Sequence, residues 1–523
     1  IVFVFVACSN KVSKLSDSEI IVNLSVEPKT IDPSFNAQIY GVIYIQHVFE
    51  GLTTRDKNNK VVEGVAESWD ISQDGKIYTF HLRTNSLWSD GKPVVAEDFV
   101  YSWRREVDPI VASEFSYQHE AVKNARDITA GKKPVETLGV KAIDDYTLEV
   151  ELEAPTAYFL ELTAFPTYAP LRRDIIEKYG DKWTLSPESY IGNGPYIMSE
   201  RNIDKNIVMT KSTNYWNADT IIADKITFMF MQDGAAAIAG IKEGSLHLAY
   251  EPPQQDIPTL TEEGLIQIKP LIATYYYPIN VTNQYLKDAR VRKALSLAID
   301  RNYIIENIVK SGKPAGALVP RGVTDVEGDF RENAGEYISV DPKDYDSNVA
   351  EAKRLMAEAG YPNGENFPVF EFITNPGFHI TVAESIQNML KKHLNIDMVI
   401  KQEEWAVLLQ TRRDGNFDMA RQGWVGGYNN PVAFLSLVKS GYVLNEGRYS
   451  NSNFDETLRL ASISKSDSER SIYLHKAEDI AMNDMAIIPI FYYAGTVMQS
   501  PKLTNVIYDI FSIYNFKNAE IIR

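Results

Sequence analysis

The chain has 523 residues, 44% hydrophobic and 24% charged, which excludes a largely disordered protein and leaves room for about three domains. Asp and Glu number 70 against 53 Lys and Arg, a net charge of -17 that argues against nucleic acid as a partner, since phosphate binding needs a positive footprint. The single cysteine excludes a disulfide framework and a thiolate zinc site.

Residues 1–7 are apolar and end at that cysteine, Cys8. Seven residues are too few to span a bilayer, which takes about 20. Phe5-Val6-Ala7-Cys8 is similar to a bacterial lipoprotein processing box, with Phe5 where Leu is usual. The expectation is a truncated signal peptide, lipid on Cys8 and a polar tether from Ser9 to Ser18. No later run is long and apolar enough to cross a membrane.

Strand and helix patterns then alternate. Trp69 and Ile71, a turn at Asp74-Gly75, and alternating Tyr78, Phe80 and Leu82 predict a hairpin. Leu148, Val150 and Leu152 alternate in the same way. Asp288 caps a predicted helix with Val291, Leu295, Ala298 and Ile299 inward, ending by Gly312 and Pro314. Ser347 caps another, with Ala352, Leu355, Met356 and Ala359 inward and Gly360 and Pro362 as its stop. The mixture predicts an α/β or α+β protein.

Catalytic motifs are absent. There is no P-loop, HExxH or GxSxG. The seven histidines, at 47, 81, 119, 247, 379, 393 and 475, include no pair at i, i+3 or i, i+4. The acidic pairs Asp144-Asp145 and Glu403-Glu404 read as solvated faces. No enzyme, metal or cofactor is expected.

Three stretches carry a resemblance. The first runs from Val65-Ala66-Glu67-Ser68-Trp69 through Tyr78–Arg83 and Trp88–Val94 to Asp98–Trp103. The second is Asp288–Leu295 with Ala298-Ile299-Asp300-Arg301. The third is Phe417-Asp418-Met419-Ala420-Arg421-Gln422-Gly423-Trp424. Together they resemble the extracytoplasmic oligopeptide-binding proteins of ABC importers, in the peptide and nickel solute-binding family. The resemblance implies an α/β, two-lobed periplasmic-binding-protein fold (type II, cluster C) with an extra inserted domain. Ligand would lie in a cleft between the lobes. Domain I would take residues 17–49, 172–272 and 494–523, domain II 50–171 and domain III 273–493, after a leader and tether over 1–16. The implied partners are an oligopeptide, permease subunits and a membrane reached through Cys8, with the protein itself a monomer.

A peptide of arbitrary sequence offers only its backbone and its termini as constant features. A general binder should pair with that backbone as an added strand and grip a terminal charge. The resemblance places backbone partners at Gly423, Trp424 and Val425, and a further one at Ile39. It places Arg421, His379 and Lys310 at positions that meet peptide carboxylates. Among the aromatics of Tyr275–Tyr277 and Phe491–Tyr493, with Trp405 and Trp424, it implies that Trp424 and Tyr493 line the cleft. Phe115 falls in a stretch that reaches the pocket.

The sequence departs from that pattern on the acidic side. Gly427 stands where an Asp would pair with the ligand's α-amino group, and Asn430, Pro278 and Ala37 stand at other positions usually acidic. Arg413 stands at the position of a pocket His. The grip on a free amino terminus is therefore in question. Besides an oligopeptide, the same fold could hold a blocked or modified peptide, a dipeptide or a small anionic solute. A surface lipoprotein with an interaction role is the other reading.

Overall fold

A computed structural model of the chain describes residues 19–522 apart from 37, 58, 59, 114 and 465, together with the backbone but not the side chain of 39. Cys8, Ala37 and the tether lie outside the described residues.

Two 13-residue strands, Ile266–Pro278 and Ile487–Gln499, form the spine of a nine-stranded sheet. They pair antiparallel along most of their length. At one end Leu248–Tyr250 joins Ile487–Gln499 and leads on to Glu19–Asn23, Lys225–Met229, Asn206–Lys211 and Tyr196–Asn202. At the other end Gln422–Val425 joins Ile266–Pro278. The long pairing is interrupted between Pro270 and Thr274. Residues 272–278 are all buried, which fits strands covered on both faces.

Two further sheets of more than two strands accompany this one. Ala66–Ile71, Ile77–Leu82, Thr147–Glu151 and Val140–Asp144 make a four-stranded antiparallel sheet. Tyr78, Phe80, Leu82, Leu148 and Val150 point into its core as their alternation requires. The helix Ala96–Val107 supplies Phe99, Val100 and Trp103 to that core, and Trp103 Nε1 donates to Tyr168 O at 2.9 Å. In a separate three-stranded sheet, Phe370–Thr374 lies parallel to both Met398–Gln402 and Met419–Ala420. The helix Phe378–Leu394 makes the crossover between the first two of these.

Three local expectations need correction. Asp288 caps a helix, accepting from Arg290 N, but that helix ends at Leu297. Asp300 then accepts from Tyr303 N and starts a second helix, Arg301–Ile304, which widens into a π turn over Ile305–Val309. The short polar side chain competes with the helical pattern and restarts it. Ser347 caps nothing: it lies inside the helix Tyr345–Glu358, its hydroxyl donating to Asp344 O at 2.7 Å. The chain has already turned at Pro342–Asp344, where Asp341 accepts from Lys343 N. Glu403 is buried rather than solvated, 2.9 Å from Lys401 Nζ, and Glu404 caps the helix Trp405–Asp414 by accepting from Ala406 N.

Candidate functional site

The strand Gln422–Val425 ends the large sheet, so one of its sides has no strand partner. The phase of its ladder follows from Gly426 N, which donates to Ile272 O at 2.9 Å. Antiparallel pairs alternate between bonded and non-bonded. Gln422 opposite Tyr276 and Trp424 opposite Thr274 are therefore bonded pairs, while Gly423 and Val425 turn their N–H and C=O to the open side. Arg421 has the same outward phase, and its N–H is taken by Ile373 O at 2.9 Å. The Gly423 N–H lies 3.2 Å from Gln422 Oε1.

Side chains alternate as well, so Arg421 and residue 423 address one face. Tyr493 stands there. Arg421 Nη2 donates to its hydroxyl at 3.4 Å, and a Cβ added at Gly423 would lie 2.7 Å from the same oxygen. Arg421 is 9% exposed, its Nε has no hydrogen-bond partner, and no carboxylate among the described residues pairs with it. Its guanidinium sits 5.3 Å from the Tyr275 ring and 5.5 Å from the Trp405 ring. Such contacts are worth about 0.5–2 kcal/mol each. A desolvated cation without an anion remains costly, so the place suits an incoming carboxylate.

His379, in the first turn of Phe378–Leu394, completes the cluster. Its Nδ1 lies 3.3 Å from the Tyr275 hydroxyl and its ring stacks on Tyr275. Burial, then repulsion by Arg421, pushes its pKa down to about 3, so the imidazole is neutral. Trp405 opens the next helix and is 43% exposed. Trp424 is half-buried, its Nε1 donating to Ala433 O at 2.9 Å.

The other expected residues lie on other elements. Lys310 is exposed, with φ 61°, and its Nζ donates to Glu306 O at 2.6 Å. Ile39 is the first residue of the helix Ile39–Val48. Phe115 precedes the turn Ser116–Ala121, its ring 5.7 Å from Tyr117. Arg413 is exposed, and its neighbour Arg412 points inward instead. Arg412 Nη1 donates to Arg421 O at 2.7 Å and to Gln422 Oε1 at 2.5 Å, and its Nε lies 3.0 Å from Glu446. Helical spacing carried the missed signal: Leu408 and Arg412, four apart, are the buried residues of that helix.

Gly427 faces the opposite layer. Its φ is outside the left-handed range, and the nearest atom to an added Cβ is Gln118 Nε2 at 3.6 Å. Beside it Tyr428 stacks on Tyr158 with centroids 4.3 Å apart and planes within 4°. Gln118 and Tyr158 belong to the layer built on the four-stranded sheet, so these contacts bridge two bodies. Between those bodies lies a cavity of about 800 Å³, walled by residues 117–127 and 153–158 on one side and 428–470 on the other. Among the described residues no helix is long and apolar enough to cross a membrane.

Residues 60–445 match the profile of the bacterial extracellular solute-binding proteins, family 5 Middle. The periplasmic oligopeptide-binding protein OppA of Salmonella typhimurium is 34% identical over 504 residues, covering 93% of this chain and 90% of that protein. The periplasmic murein peptide-binding protein MppA of Escherichia coli is 33% identical, with 93% and 89% covered. A crystal structure of Haemophilus influenzae OppA in complex with RPPGFSPFR superposes with a TM-score of 0.81 at 30% identity, covering 97% of this chain and 99% of that one. The chain therefore belongs to the bacterial extracellular solute-binding proteins of family 5, with their two-lobed α/β fold.

Proposed function

We propose that the protein captures peptides outside the cytoplasm and delivers them to an ABC permease, with lipid on Cys8 holding it at a bacterial membrane. The observation that carries this reading is Arg421, a buried guanidinium with no carboxylate partner among the described residues, beside an open strand edge. The ligand backbone adds to Gly423–Val425, and its terminal carboxylate meets Arg421 while His379 stays neutral beside it. A peptide with its carboxyl end at Arg421 and its body toward Gly427 runs antiparallel to that strand. Binding without chemistry needs no cofactor or metal, and one monomer carries the whole cleft. The lobes close at the interruption between Pro270 and Thr274, where the pairing of the two long strands breaks.

Gly427 favours one variant of this reading, a peptide whose amino end is blocked or not gripped. Mass spectrometry of material co-purifying with the native protein should find peptides with free carboxyl ends. Scattering should show compaction on adding a pool of short peptides, with the peptide masses unchanged. Recovery of non-peptide ligand alone, or cleavage that tracks with the folded protein, refutes the reading.

A further inference from the structure

We infer that the ligand groove does not end at Gly427 but continues into the 800 Å³ cavity, which receives an uncharged N-terminal extension of the peptide. This rests on the peptide reading above and adds a second compartment to the site.

The open edge runs from Arg421 to Val425, about 13 Å of extended chain, and Gly427 lies in the bend just beyond it. With the carboxylate held at Arg421, the amino end of a short peptide reaches Gly427. The side chains met there are Gln118, whose Nε2 would lie 3.6 Å from a Cβ at 427, and the stacked pair Tyr158 and Tyr428. The next wall is Gln118, and both Gln118 and Tyr428 line the cavity. The volume lies within the range of about 300–1,000 Å³ typical of ligand sites.

The lining chooses the chemistry. Tyrosines 117, 158, 428 and 442 supply rings from both sides. The charges present are largely satisfied within the protein. Arg126 pairs with Glu120 at 2.6 Å, Arg459 with Glu456 at 2.7 Å, and Asp455 accepts from Ser440 N at 3.0 Å. A terminal ammonium at Gly427 would find no carboxylate at that position. A chain that runs on places its amide there and its ammonium elsewhere. Amides and uncharged side chains meet tyrosine faces and hydroxyls without stranding a charge.

The test compares N-acetylated tetra-alanine with tetra-alanine carrying N-acetylated Gly-Tyr-Gly-Tyr ahead of it, by calorimetry on the intact protein. We expect the extended peptide to bind at least tenfold more tightly. Ala157→Trp and Ser462→Trp each place bulk in the cavity from opposite walls. Each should remove that gain while leaving tetra-alanine within threefold of its original affinity. A photocrosslinking group on the first residue of the extension should label residues 117–127, 153–158 or 428–470. If tetra-alanine binds and the extension weakens binding, or if crosslinks fall elsewhere, the second compartment is refuted and the peptide reading stands. If neither peptide binds, the peptide reading fails and the extension fails with it.

Discussion

Arg421 Nη2 lies 3.4 Å from the Tyr493 hydroxyl, a contact that depends on residue 423 having no side chain, since a Cβ there would come within 2.7 Å of the same oxygen. One absent side chain thus sets Tyr493 against the cation. The consequence is testable by exchange. Gly423→Ala should displace Tyr493 and weaken peptide binding by on the order of tenfold, or about 1.4 kcal/mol. Removing the hydroxyl with Tyr493→Phe opens the space again. The double variant should bind better than the two single losses predict, and a double-mutant cycle by calorimetry measures that coupling. Strict additivity would show that the two positions act independently.

Arg421→Ala should weaken a free-acid peptide by on the order of 2–5 kcal/mol, because the ligand carboxylate then enters a buried site unpaired. The C-terminal amide of the same peptide should lose at least tenfold less. Equal losses refute the carboxylate role.

His379 should give no titration between pH 8 and 5 in the unliganded protein, followed by its ring carbon protons in NMR, because its pKa sits at about 3. Burial is the first cause and Arg421 the second, so Arg421→Ala should move that titration upward. The sign for stability follows. A histidine whose folded pKa is depressed contributes stability that is full above its unfolded pKa of about 6.5 and is lost as pH falls toward about 3. The Arg421→Ala variant should show a smaller His379 contribution to acid sensitivity.

Position 427 accepts a Cβ, because its φ is not left-handed and the nearest neighbour is Gln118 Nε2 at 3.6 Å, so Gly427→Asp tests the missing acid. N-acetylation should change the affinity of the original protein for a tetrapeptide by less than about tenfold, or 1.4 kcal/mol. In the Asp variant the free amine should be preferred by more than that. An acetylation loss well above tenfold in the original protein would mean that another carboxylate grips the amine.

Cys8→Ala should move the full-length protein from the detergent phase to the aqueous phase in a partitioning assay, since no helix of the described residues can hold it in a bilayer. Persistence in the detergent phase would overturn the lipid assignment.

Much of the fold was legible in the sequence because its signals are local. The alternation of Tyr78, Phe80 and Leu82 marks a half-buried strand before any partner is known, and Asp288 announces a helix start through its own backbone contact. The run Phe417–Trp424 pointed to Arg421 and to the backbone of Gly423 by resemblance. The restart at Asp300 and the early turn at Asp341 were harder to see, because several polar residues in a row each offer the backbone a competing partner.

Local pattern by itself marked several strands and helix starts, and resemblance to a family marked the stretch with the proposed basic anchor. Only the tertiary structure decided what surrounds that anchor. That Arg421 has no carboxylate partner is a statement about every acid among the described residues. So is the inward turn of Arg412 rather than Arg413, which depends on Glu446 and Gln422 from other segments. Gly423 has a local meaning as a flexible residue, yet its role is set by Tyr493, 70 positions away. Gly427 read as a missing acid in the sequence; in space it is the point where a strand edge meets Gln118, Tyr158 and a cavity between two bodies. Distances between side chains far apart in sequence follow from packing the whole chain, and no period or motif records them.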